Sequence, residues 1–337
     1  MDLKAIRELK LEVARDVFAP LTKQLLDRAL APRLDSHRLG DLIARSPLER
    51  LAIGIAPGAG LRDFRLAVRL QSQSDFVRAF LERVRALAGA DLDVSFVGRV
   101  QPLQDSVSTD TLRKVCRPLV IGCSIGHVAA TAGTLGMIAR HRKTGRTVLV
   151  SNSHVLAQAG EAKLGDPITQ PGRVDGGTAV NHVAALLDFV PLKTRGSNQV
   201  DGAIAVVDEA IGLTPGSVPG VGPLLPPPTE PLVPGEKVFK VGRTTGLTEG
   251  EVTVTELDDL AVDYDIGTVV FDDQVEIKGK PGKPFSGPGD SGSLVLDASH
   301  RPIALLFAGS PTANEGAGVT YANPIAKVMA ALDLVSL

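Results

Sequence analysis

The sequence predicts a mainly β fold, with two antiparallel barrels behind a small helical and α/β N-terminal region. From about residue 117 onward the apolar runs are short, turn residues separate them, and long helical patterns nearly vanish. The composition agrees, because 35 glycines and 23 prolines among 337 residues, with no tryptophan, suit short strands joined by tight turns. A chain of this length typically forms two or three domains.

The charge balance and hydropathy exclude several classes of protein. Hydrophobic residues make up 44%, charged residues 22%, and the net charge is −2, so neither a basic nucleic-acid-binding surface nor an acidic tail is expected. The N-terminal stretch MDLKAIRELKLEVARDVF lacks the apolar core of a signal peptide, and no window has the length and hydrophobicity of a membrane span. Cys116 and Cys123 are too few for a disulfide framework. We therefore expect a soluble cytoplasmic protein.

Residues 1–47 predict an N-terminal helical segment. Apolar residues between Leu3 and Phe18 fall near a helical period among charges, and a second helical run follows Pro20 and ends at Pro32. The pattern is typical of an amphipathic helical pair that packs on a neighbouring domain or on another copy of the chain. A partner-recognition arm is the alternative.

Residues 48–104 predict a small α/β module. The runs RLAIGIA, FRLAVRLQS and LDVSFVGRV are typical of strands, and SDFVRAFLERVRALAG is typical of a helix with Ser74 as its N-cap. No nucleophile, phosphate loop or metal cluster stands out in this module. We expect a structural or regulatory role, with self-association or a regulatory partner acting through residues 1–104.

Residues 105–337 predict the two barrels, the first at about 117–212 and the second at about 237–322. The proline-rich stretch 213–236 separates them, and proline at this density disfavours regular structure and behaves as a semi-rigid connector. The last amphipathic run, at 323–335, predicts a C-terminal helix that packs back on the second barrel.

The stretch FSGPGDSGSLV at 285–295 predicts a shaped turn before a strand. Its glycines allow unusual backbone angles and close approach of a ligand, so the turn can present its amides and the Ser291 hydroxyl to one point. A GDSGS sequence arises by chance in a chain of this length about once in a thousand sequences. A serine nucleophile needs a neighbouring base, and that base needs an orienting acid.

Two further residues are candidates for that base and acid. His154 lies in VLVSNSHVLA at the end of an apolar strand, and Asp201 lies in SNQVDGAIAVV at the start of another. A carboxylate entering an apolar run needs a hydrogen-bond partner, which an imidazole N–H supplies, although a strand-end cap is the alternative reading of Asp201. Since Asp201 precedes the connector and Ser291 follows it, a cleft between the barrels would bring the three together. The other histidines are His37, His127, His141, His182 and His300.

These segments resemble the His, Asp and GDSG boxes of the chymotrypsin-like (trypsin-fold) serine proteases, over roughly residues 117–335. Within that superfamily, IGCSIGHVAATAGTLG, LVSNSHVLA, GDPITQPGRVDGG and KVGRTTGLTEGEV together resemble bacterial trypsin-like proteins related to plant NARROW LEAF 1, which also have a small α/β region before the protease. The resemblance implies two six-stranded antiparallel barrels and a serine endopeptidase that needs no cofactor.

The resemblance also implies a role for each residue. Ser291 would attack the scissile carbonyl, His154 would act as general base and then general acid, and Asp201 would fix the imidazole tautomer. The backbone N–H groups of Gly289 and Ser291 would form the oxyanion hole, where each donor typically contributes a factor of ~10²–10³ in rate.

The acid of the GDSG box needs a cation. Arg243, in VGRTTG, resembles the arginine that pairs with this acid in bacterial members of the fold. We therefore predict an ion pair between Arg243 and Asp290 that supports the oxyanion loop. A surface arginine in a hairpin turn is the alternative.

The residues expected to line the specificity pocket carry no charge. Phe285 lies six positions before the serine, where trypsin-like enzymes carry an acid, and Ser286 follows it. The strand LLFAG at 305–309 supplies Phe307, Ala308 and Gly309. A lysine or arginine side chain would be buried there without a counter-charge, which costs several kcal/mol. We expect small or apolar residues at P1, the substrate residue whose carbonyl is attacked.

Metal binding is weakly supported. Cys116, Cys123 and His127 lie close in sequence, but no second ligand pair follows at a matching spacing, so a structural role is favoured and no metal is predicted. Asp166 and Asp175 could hold a cation in their loop, although turn capping is the favoured interpretation.

Two other functions compete with a constitutively active peptidase that cleaves protein or peptide substrates. The chain could be a protease-fold scaffold that binds peptides or partner subunits with little or no turnover, because a fold does not guarantee its chemistry. It could also be a latent protease that a partner or ligand activates through the N-terminal module.

Overall fold

A computed structural model describes residues 1–30, 51–60, 62–72, 74–98, 100, 111–280, 282–310 and 318–337. His37, Pro32 and the predicted boundaries near 47 and 104 lie outside these residues. The N-terminal elements are α1 (Leu3–Glu12), a π-helical turn (Val13–Phe18), α2 (Ala19–Leu30), β1 (Leu51–Pro57), β2 (Phe64–Leu70), α3 (Asp75–Ala88) and β3 (Leu92–Phe96). None of the described helices has the length and apolar character needed to cross a membrane.

The middle of the chain consists of short strands, as predicted. The first barrel region contains β4 (Leu119–Val120), β5 (Ser124–His127), β6 (Gly133–Thr134), β7 (Met137–His141), β8 (Thr147–Ser151), α4 (Ser153–Leu156), β9 (Pro167–Thr169), β10 (His182–Phe189), β11 (Ser197–Asn198) and β12 (Ala203–Val207). Short 3₁₀ turns lie at Gln158–Gly160, Arg173–Asp175 and Ala179–Asn181. The predicted connector contains β13 (Leu213–Thr214), β14 (Ser217–Val218) and β15 (Gly222–Pro223).

The remaining elements form the second barrel and the C-terminus. They are β16 (Lys237–Gly242), β17 (Gly246–Asp258), β18 (Leu260–Tyr264), β19 (Gly267–Phe271), β20 (Gln274–Gly279), β21 (Leu294–Asp297), β22 (Pro302–Ser310), β23 (Val319–Pro324), α5 (Ile325–Ala331) and β24 (Leu334–Ser336).

The second barrel is closed. Among the described strands, six antiparallel ones follow the order β16-β21-β22-β23-β20-β17, and β17 pairs back onto β16. Alternate residues of these strands point inward, so valine, isoleucine and leucine side chains fill the interior. The buried cluster there is Val238, Val252, Val275, Ile277, Phe285, Val295, Ile303, Ala304, Leu306 and Ala322.

The first barrel is a curled half-barrel sheet. In the described part of the chain its eight strands follow the order β24-β7-β8-β12-β10-β9-β5-β6. A separate apolar core, which includes Ile138, Leu149, Ile168 and Ile204, lies within it. The predicted mainly β, two-barrel fold is therefore confirmed.

The N-terminal strands extend the sheet of the second barrel. β1 pairs antiparallel with β17, β2 pairs with β1, and β3 pairs parallel with β2. The apolar face of the N-terminal helices packs on this extension, because Ile6, Val13 and Val17 share a buried cluster with Ile53 and Phe80. The helical run continues past Pro20, which follows the π-helical turn and lies in the first turn of α2, where proline is tolerated.

A buried ion pair joins β2 to the barrel. Arg69 Nε lies 2.9 Å from Glu276 Oε2, and the two side chains are 1% and 0% exposed. Asp93 accepts a second contact from Arg69 at 2.8 Å. These charges compensate one another, so the N-terminal strands and the second barrel share a polar as well as an apolar interface.

The C-terminal segment differs from the predicted helix at 323–335. The helix covers only Ile325–Ala331, and β24 then pairs with β7 of the first barrel, not the second. Asp333 adopts a φ of +50°, which ends the helical path. Leu334 can then enter the core of the first barrel, where Val328 and Leu332 also lie.

Candidate active site

His154 and Asp201 are brought together by the pairing of β8 with β12. The two strands are antiparallel, and Ser151, the last residue of β8, lies opposite Ala203, the first of β12. The residues that follow β8 and precede β12 therefore lie at the same edge of the sheet. Asn152 ties them together, because its Nδ2 donates to the Asp201 carbonyl at 2.8 Å.

The Asp201 carboxylate holds the His154 ring. His154 Nδ1 lies 2.5 Å from Asp201 Oδ2, and the His154 backbone N–H donates to Oδ1 at 3.2 Å. The Asp201 side chain is fully buried and the His154 side chain is 15% exposed. With Nδ1 donating to the carboxylate, Nε2 is left as the acceptor nitrogen of the neutral ring. Nε2 is buried and has no hydrogen-bond partner in the described part of the chain.

Ser291 lies on the loop between β20 and β21, held against the first barrel. Thr134 of β6 donates from its backbone N–H to the Ser291 carbonyl at 2.8 Å and from its hydroxyl to the Gly289 carbonyl at 3.0 Å. The Ser291 Oγ contacts the Phe307 carbonyl oxygen at 3.5 Å. The structure therefore joins His154 to Asp201, but no hydrogen bond links His154 to Ser291.

Two glycines of this loop are required by its shape. Gly289 and Gly292 adopt φ values of +91° and +92°, a region that other residues rarely occupy. A Cβ atom on Gly289 would lie 2.8 Å from Arg243 Cζ, and one on Gly292 would collide with Ser151 Oγ. The glycines therefore let the serine loop approach the end of β8, which leads into the short helix that carries His154.

Within the described residues, the backbone N–H groups predicted for an oxyanion hole make no hydrogen bonds. Asp290 N–H donates to the Gly287 carbonyl at 3.0 Å and Gly292 N–H donates to Leu306 at 2.8 Å. By contrast, the N–H groups of Gly289 and Ser291 have no acceptor among the described residues. Two donors are therefore available beside the serine hydroxyl.

The predicted ion pair between Arg243 and Asp290 is wrong, because Lys240 is the cation that meets Asp290. Lys240 Nζ lies 3.1 Å from Asp290 Oδ2, and both side chains are fully buried. Lys240 is on β16 in the same inward-facing set as Val238, whereas Arg243 comes after the strand has ended. The strand therefore sends the lysine, not the arginine, to the carboxylate.

Hydrogen bonds complete the environment of Asp290. Its Oδ1 accepts from the N–H groups of Thr244 at 3.0 Å and Thr245 at 3.2 Å, and its Oδ2 accepts from the Thr245 hydroxyl at 2.6 Å and Gly287 N–H at 3.0 Å. Burial acts to raise the pKa of Asp290, but the Lys240 charge and these hydrogen bonds outweigh it and lower the pKa. Burial lowers the pKa of Lys240, although the neighbouring Asp290 carboxylate acts to raise it. The site holds a charged pair.

Arg243 contacts the serine loop at Gly289 instead. Its guanidinium lies beneath Gly289, and its NH1 group lies 3.4 Å from the Asp175 carboxylate. Its backbone N–H donates to Thr134 Oγ1 at 3.1 Å. The sequence suggested two roles for Asp175, a cation ligand or, as the favoured interpretation, a turn cap. In the structure it is an ion-pair partner of Arg243 at the junction of the two barrels.

Two of the residues predicted to line a substrate pocket are Phe285 and Ser286. The structure places Phe285 in the barrel interior and Ser286 beside Thr320. Phe285 is 2% exposed and belongs to the interior cluster of the second barrel, with Lys240 Nζ 5.9 Å from its ring centroid. Ser286 is half-buried, and its hydroxyl lies 2.6 Å from that of Thr320. Phe285 is therefore part of the barrel core.

The other three predicted pocket residues lie on β22. Phe307 and Ala308 are fully buried in a cluster between the barrel and the N-terminal extension, and Gly309 pairs with Thr320. The Phe307 ring packs on Phe271 with centroids 4.8 Å apart. Both side chains are apolar and belong to this buried cluster, and the pocket role predicted for them stays a prediction.

Tyr264 completes the surroundings of Asp201, and sequence reasoning missed it. Its hydroxyl donates to Asp201 Oδ2 at 2.8 Å, and its ring lies 5.8 Å from the His154 ring in an edge-on arrangement. Burial and the Asp201 charge raise the pKa of Tyr264, so it stays a protonated donor. Its one sequence signal is its position at the end of the apolar run LAVDY, in a chain with two tyrosines.

The weaker metal candidates have ordinary partners. His127 Nε2 lies 3.1 Å from Asp166 Oδ2, and Asp166 also accepts from Lys163 N–H at 2.8 Å. The Cys116 thiol lies 3.5 Å from the carbonyl oxygens of Thr111 and Lys114, and the Cys123 thiol lowers the pKa of Cys116 to about 7. No group of three or more metal-ligating side chains occurs within the residues that the structure describes.

A family model described as the Nal1 C-terminal domain matches residues 221–335. Curated proteins include no significant match. Among solved structures, the chain is similar to Cellulomonas bogoriensis chymotrypsin, at 17% identity over 65% of this chain and 97% of that one, with a TM-score of 0.44. It is also similar to Thermobifida fusca Protease A, at 16% identity over 65% and 98%, with a TM-score of 0.45. A third similar structure is Nocardiopsis protease, at 18% identity over 64% of this chain and 97% of that one, with a TM-score of 0.45.

Proposed function

We propose that the protein is a serine endopeptidase in which Ser291, His154 and Asp201 form the catalytic triad. The single observation that carries the proposal is the His154–Asp201 pair, with Nδ1 2.5 Å from Oδ2 and a buried Nε2 that lacks a partner. A histidine held in this tautomer has one unused basic nitrogen, which a general base requires.

The chemistry is an acyl transfer in two halves. Ser291 Oγ bonds to the scissile carbonyl carbon while His154 Nε2 takes its proton, and the resulting oxyanion accepts hydrogen bonds from Gly289 and Ser291 N–H. The imidazolium then gives that proton to the amine as the peptide bond breaks. Water attacks the acyl-enzyme by the same route and releases the acid and the free serine. No cofactor is needed.

The serine must turn before it reacts. Its Oγ contacts the Phe307 carbonyl at 3.5 Å, at the limit of a hydrogen bond, so little is lost when the side chain changes rotamer. Catalytic hydrogen bonds are often long before substrate binds and tighten in the complex. We propose that a substrate in the cleft brings Oγ to Nε2.

We propose small or apolar residues at P1. The support is the apolar character of Phe307 and Ala308 on β22, next to the serine loop. A cationic P1 side chain would be desolvated there without a partner. Cleavage strictly after arginine or lysine in a peptide library would contradict this preference.

We propose that the N-terminal region regulates the site through the β18–β19 hairpin. Gln71 Nε2 donates to the Ala261 carbonyl at 2.8 Å and Ala261 N–H donates to Gln71 Oε1 at 3.2 Å. Asp263 N–H donates to Val100 at 3.0 Å. A partner that binds residues 1–104 could therefore shift the hairpin that carries Tyr264.

A second candidate function is a protease-fold scaffold with little or no turnover. The observation that favours it is the missing bond between His154 and Ser291, because Oγ is turned to Phe307. An active-site fluorophosphonate probe distinguishes the two functions, since it reacts with activated serines.

The test compares labelling of the wild-type protein with labelling of Ser291→Ala and Ser299→Ala. Ser299 lies on an exposed turn after β21, so its loss should not affect labelling. Labelling that disappears only in Ser291→Ala supports the peptidase. No labelling of the intact wild-type protein favours the scaffold. Peptide-library cleavage with Ser291→Ala as the control then identifies the cleaved sequences.

A further inference from the structure

We propose that Tyr264 is a positioning residue, whose hydroxyl holds the Asp201 carboxylate in the orientation that fixes the His154 ring. The inference rests on the proposed peptidase function for its kinetic consequences, whereas its effect on the imidazole is independent of turnover.

Asp201 Oδ2 is shared between two donors. His154 Nδ1 lies 2.5 Å from it and the Tyr264 hydroxyl lies 2.8 Å from it, while Oδ1 accepts from the His154 backbone. The Asp201 side chain is fully buried, so a missing donor is not simply replaced by bulk water. Without the hydroxyl, rotation of the carboxylate about its Cβ–Cγ bond would be restrained by His154 alone.

The tyrosine is held firmly enough to act as a positioning group. Its ring lies 6.2 Å from the Phe271 ring, which packs at 4.8 Å on Phe307 beside the serine loop. The hairpin behind it is bonded to the N-terminal extension, through Gln71 and Ala261 and through Val100 and Asp263. A donor fixed from two sides restricts its acceptor more than a mobile side chain would.

The Tyr264 hydroxyl should also affect how readily the His154 ring takes up a second proton. Asp201 and Tyr264 are the titratable groups that bond to or pack on the His154 ring in the described part of the chain. Asn152 and Asn323, which bond to the Asp201 backbone, are neutral. The Tyr264 hydrogen bond is strongest when the ring is neutral, because Asp201 then carries an uncompensated charge. Loss of the hydroxyl therefore favours the imidazolium.

The first experiment compares Tyr264→Phe with Tyr321→Phe. Both variants lose one buried hydroxyl, but that of Tyr321 lies 3.4 Å from Glu276, away from His154. We expect kcat of Tyr264→Phe to fall roughly tenfold, with KM within about twofold, because the lost bond does not face the substrate. The acid limb of its kcat/KM profile should move to higher pH. Tyr321→Phe should keep the wild-type profile. An unchanged profile in Tyr264→Phe would overturn the proposal.

A second experiment retains the hydroxyl and so avoids a folding failure. In the Tyr321→Phe background Tyr264 is the one remaining tyrosine, and biosynthetic 3-fluorotyrosine makes its hydroxyl more acidic and a stronger donor. The acid limb should then move to lower pH, opposite to Tyr264→Phe. Shifts in the same direction would overturn the proposal.

A third measurement separates this inference from the proposed function. Proton NMR of Ser291→Ala, with and without Tyr264→Phe, follows the His154 ring protons against pH in a protein that cannot turn over. A higher titration midpoint in the double variant supports the role of Tyr264 even where wild-type protein is not labelled by fluorophosphonate. Identical midpoints overturn it, even where the peptidase itself is active.

Discussion

Lys240 Nζ lies 3.1 Å from Asp290 Oδ2, inside the second barrel, where both side chains are fully buried. Lys240 also donates to the Gly246 carbonyl at 3.2 Å and to the Thr245 hydroxyl, so the ammonium group is well satisfied. The acid next to the candidate nucleophile is thus neutralised from within the same barrel.

Replacing Lys240 by methionine should disrupt the serine loop. The change leaves the Asp290 carboxylate buried without its cation, and breaking a buried pair in this way typically costs roughly 3–5 kcal/mol of unfolding free energy. If the loop shifts and one oxyanion donor is lost, the rate should fall about 10²-fold or more. Urea unfolding and the fluorophosphonate labelling rate measure the two effects.

Lys237→Met is the matched control, because Lys237 begins the same strand and is exposed. It should leave both the stability and the labelling rate near wild type. The double variant Lys240→Met/Asp290→Asn removes the uncompensated charge and should recover part of the lost stability. Equal effects of Lys237→Met and Lys240→Met would contradict the role of the buried pair.

The stabilisation from Asp290 should depend on pH below the ordinary carboxyl range. Its pKa is lowered from 3.8, since Lys240 and the hydrogen bonds outweigh the cost of burial. A group with a lowered folded pKa stabilises the protein fully above its unfolded pKa, and this stabilisation is lost as the pH falls through the folded value. The unfolding free energies of wild type and Asp290→Asn should therefore differ by a constant amount from neutral pH to about pH 4 and converge below it.

Chemical denaturation at a series of pH values measures this difference. Convergence of the two proteins well above pH 4 would show that Asp290 is not the stabilised carboxylate that the geometry implies. A mutation of exposed Asp188 to asparagine provides the comparison, and it should show no such pH-dependent gap.

Arg69→Met should destabilise the junction between the N-terminal strands and the second barrel. Burial alone would lower the pKa of Arg69, but Glu276 and Asp93 raise it, so the pair is firmly charged. Among the described residues, methionine leaves Glu276 buried with the Thr253 and Tyr321 hydroxyls as its remaining donors. We expect a loss of roughly 3–5 kcal/mol in unfolding free energy, measured by urea denaturation.

Arg78→Met is the control for a surface pair. The Arg78 side chain is 75% exposed and lies 3.5 Å from Asp75, so its removal should leave stability unchanged within error. The buried Arg69–Glu276 pair also bears on truncation. A chain that starts at residue 105 lacks Arg69 and leaves Glu276 without its cation, so we expect it to be unstable rather than activated. Full stability of that shortened chain would refute the proposed role of the junction.

Cys116 should react with alkylating reagents at lower pH than an ordinary thiol. The Cys123 thiol lowers the pKa of Cys116 to about 7, assisted by Arg117 and Gln170. Because the thiolate is the reactive form, the iodoacetamide rate should rise to half its plateau near that pH, rather than above pH 8. Cys123→Ala removes the largest cause and should move the midpoint upward, while Cys116→Ser should abolish the reaction. A midpoint unaffected by Cys123→Ala would rule out the thiol–thiol interaction as the cause.

Local patterns were sufficient to pair His154 with Asp201, and less sufficient to find the partners of Asp290 and Arg243. His154 and Asp201 were recognisable because each lies just beyond one end of an apolar strand, and pairing of those strands brings such ends together. Asp290 predictably needed a cation, but the choice between Lys240 and Arg243 depended on which side of β16 faces the barrel interior. Phe285 was misjudged as a pocket residue for the same reason, since a loop can turn an apolar side chain inward or outward.

The sequence by itself determined the mainly β class, the two-barrel division and the GDSG turn, because strand patterns, proline density and glycine geometry are properties of neighbouring residues. Only the tertiary structure decided that Lys240 neutralises Asp290, that Arg243 lies beneath Gly289, and that Tyr264 reaches Asp201 from a hairpin 63 residues away. These contacts arise from barrel closure and from the seam between barrels. Distances across such a seam depend on the packing of the whole chain, which no local window contains.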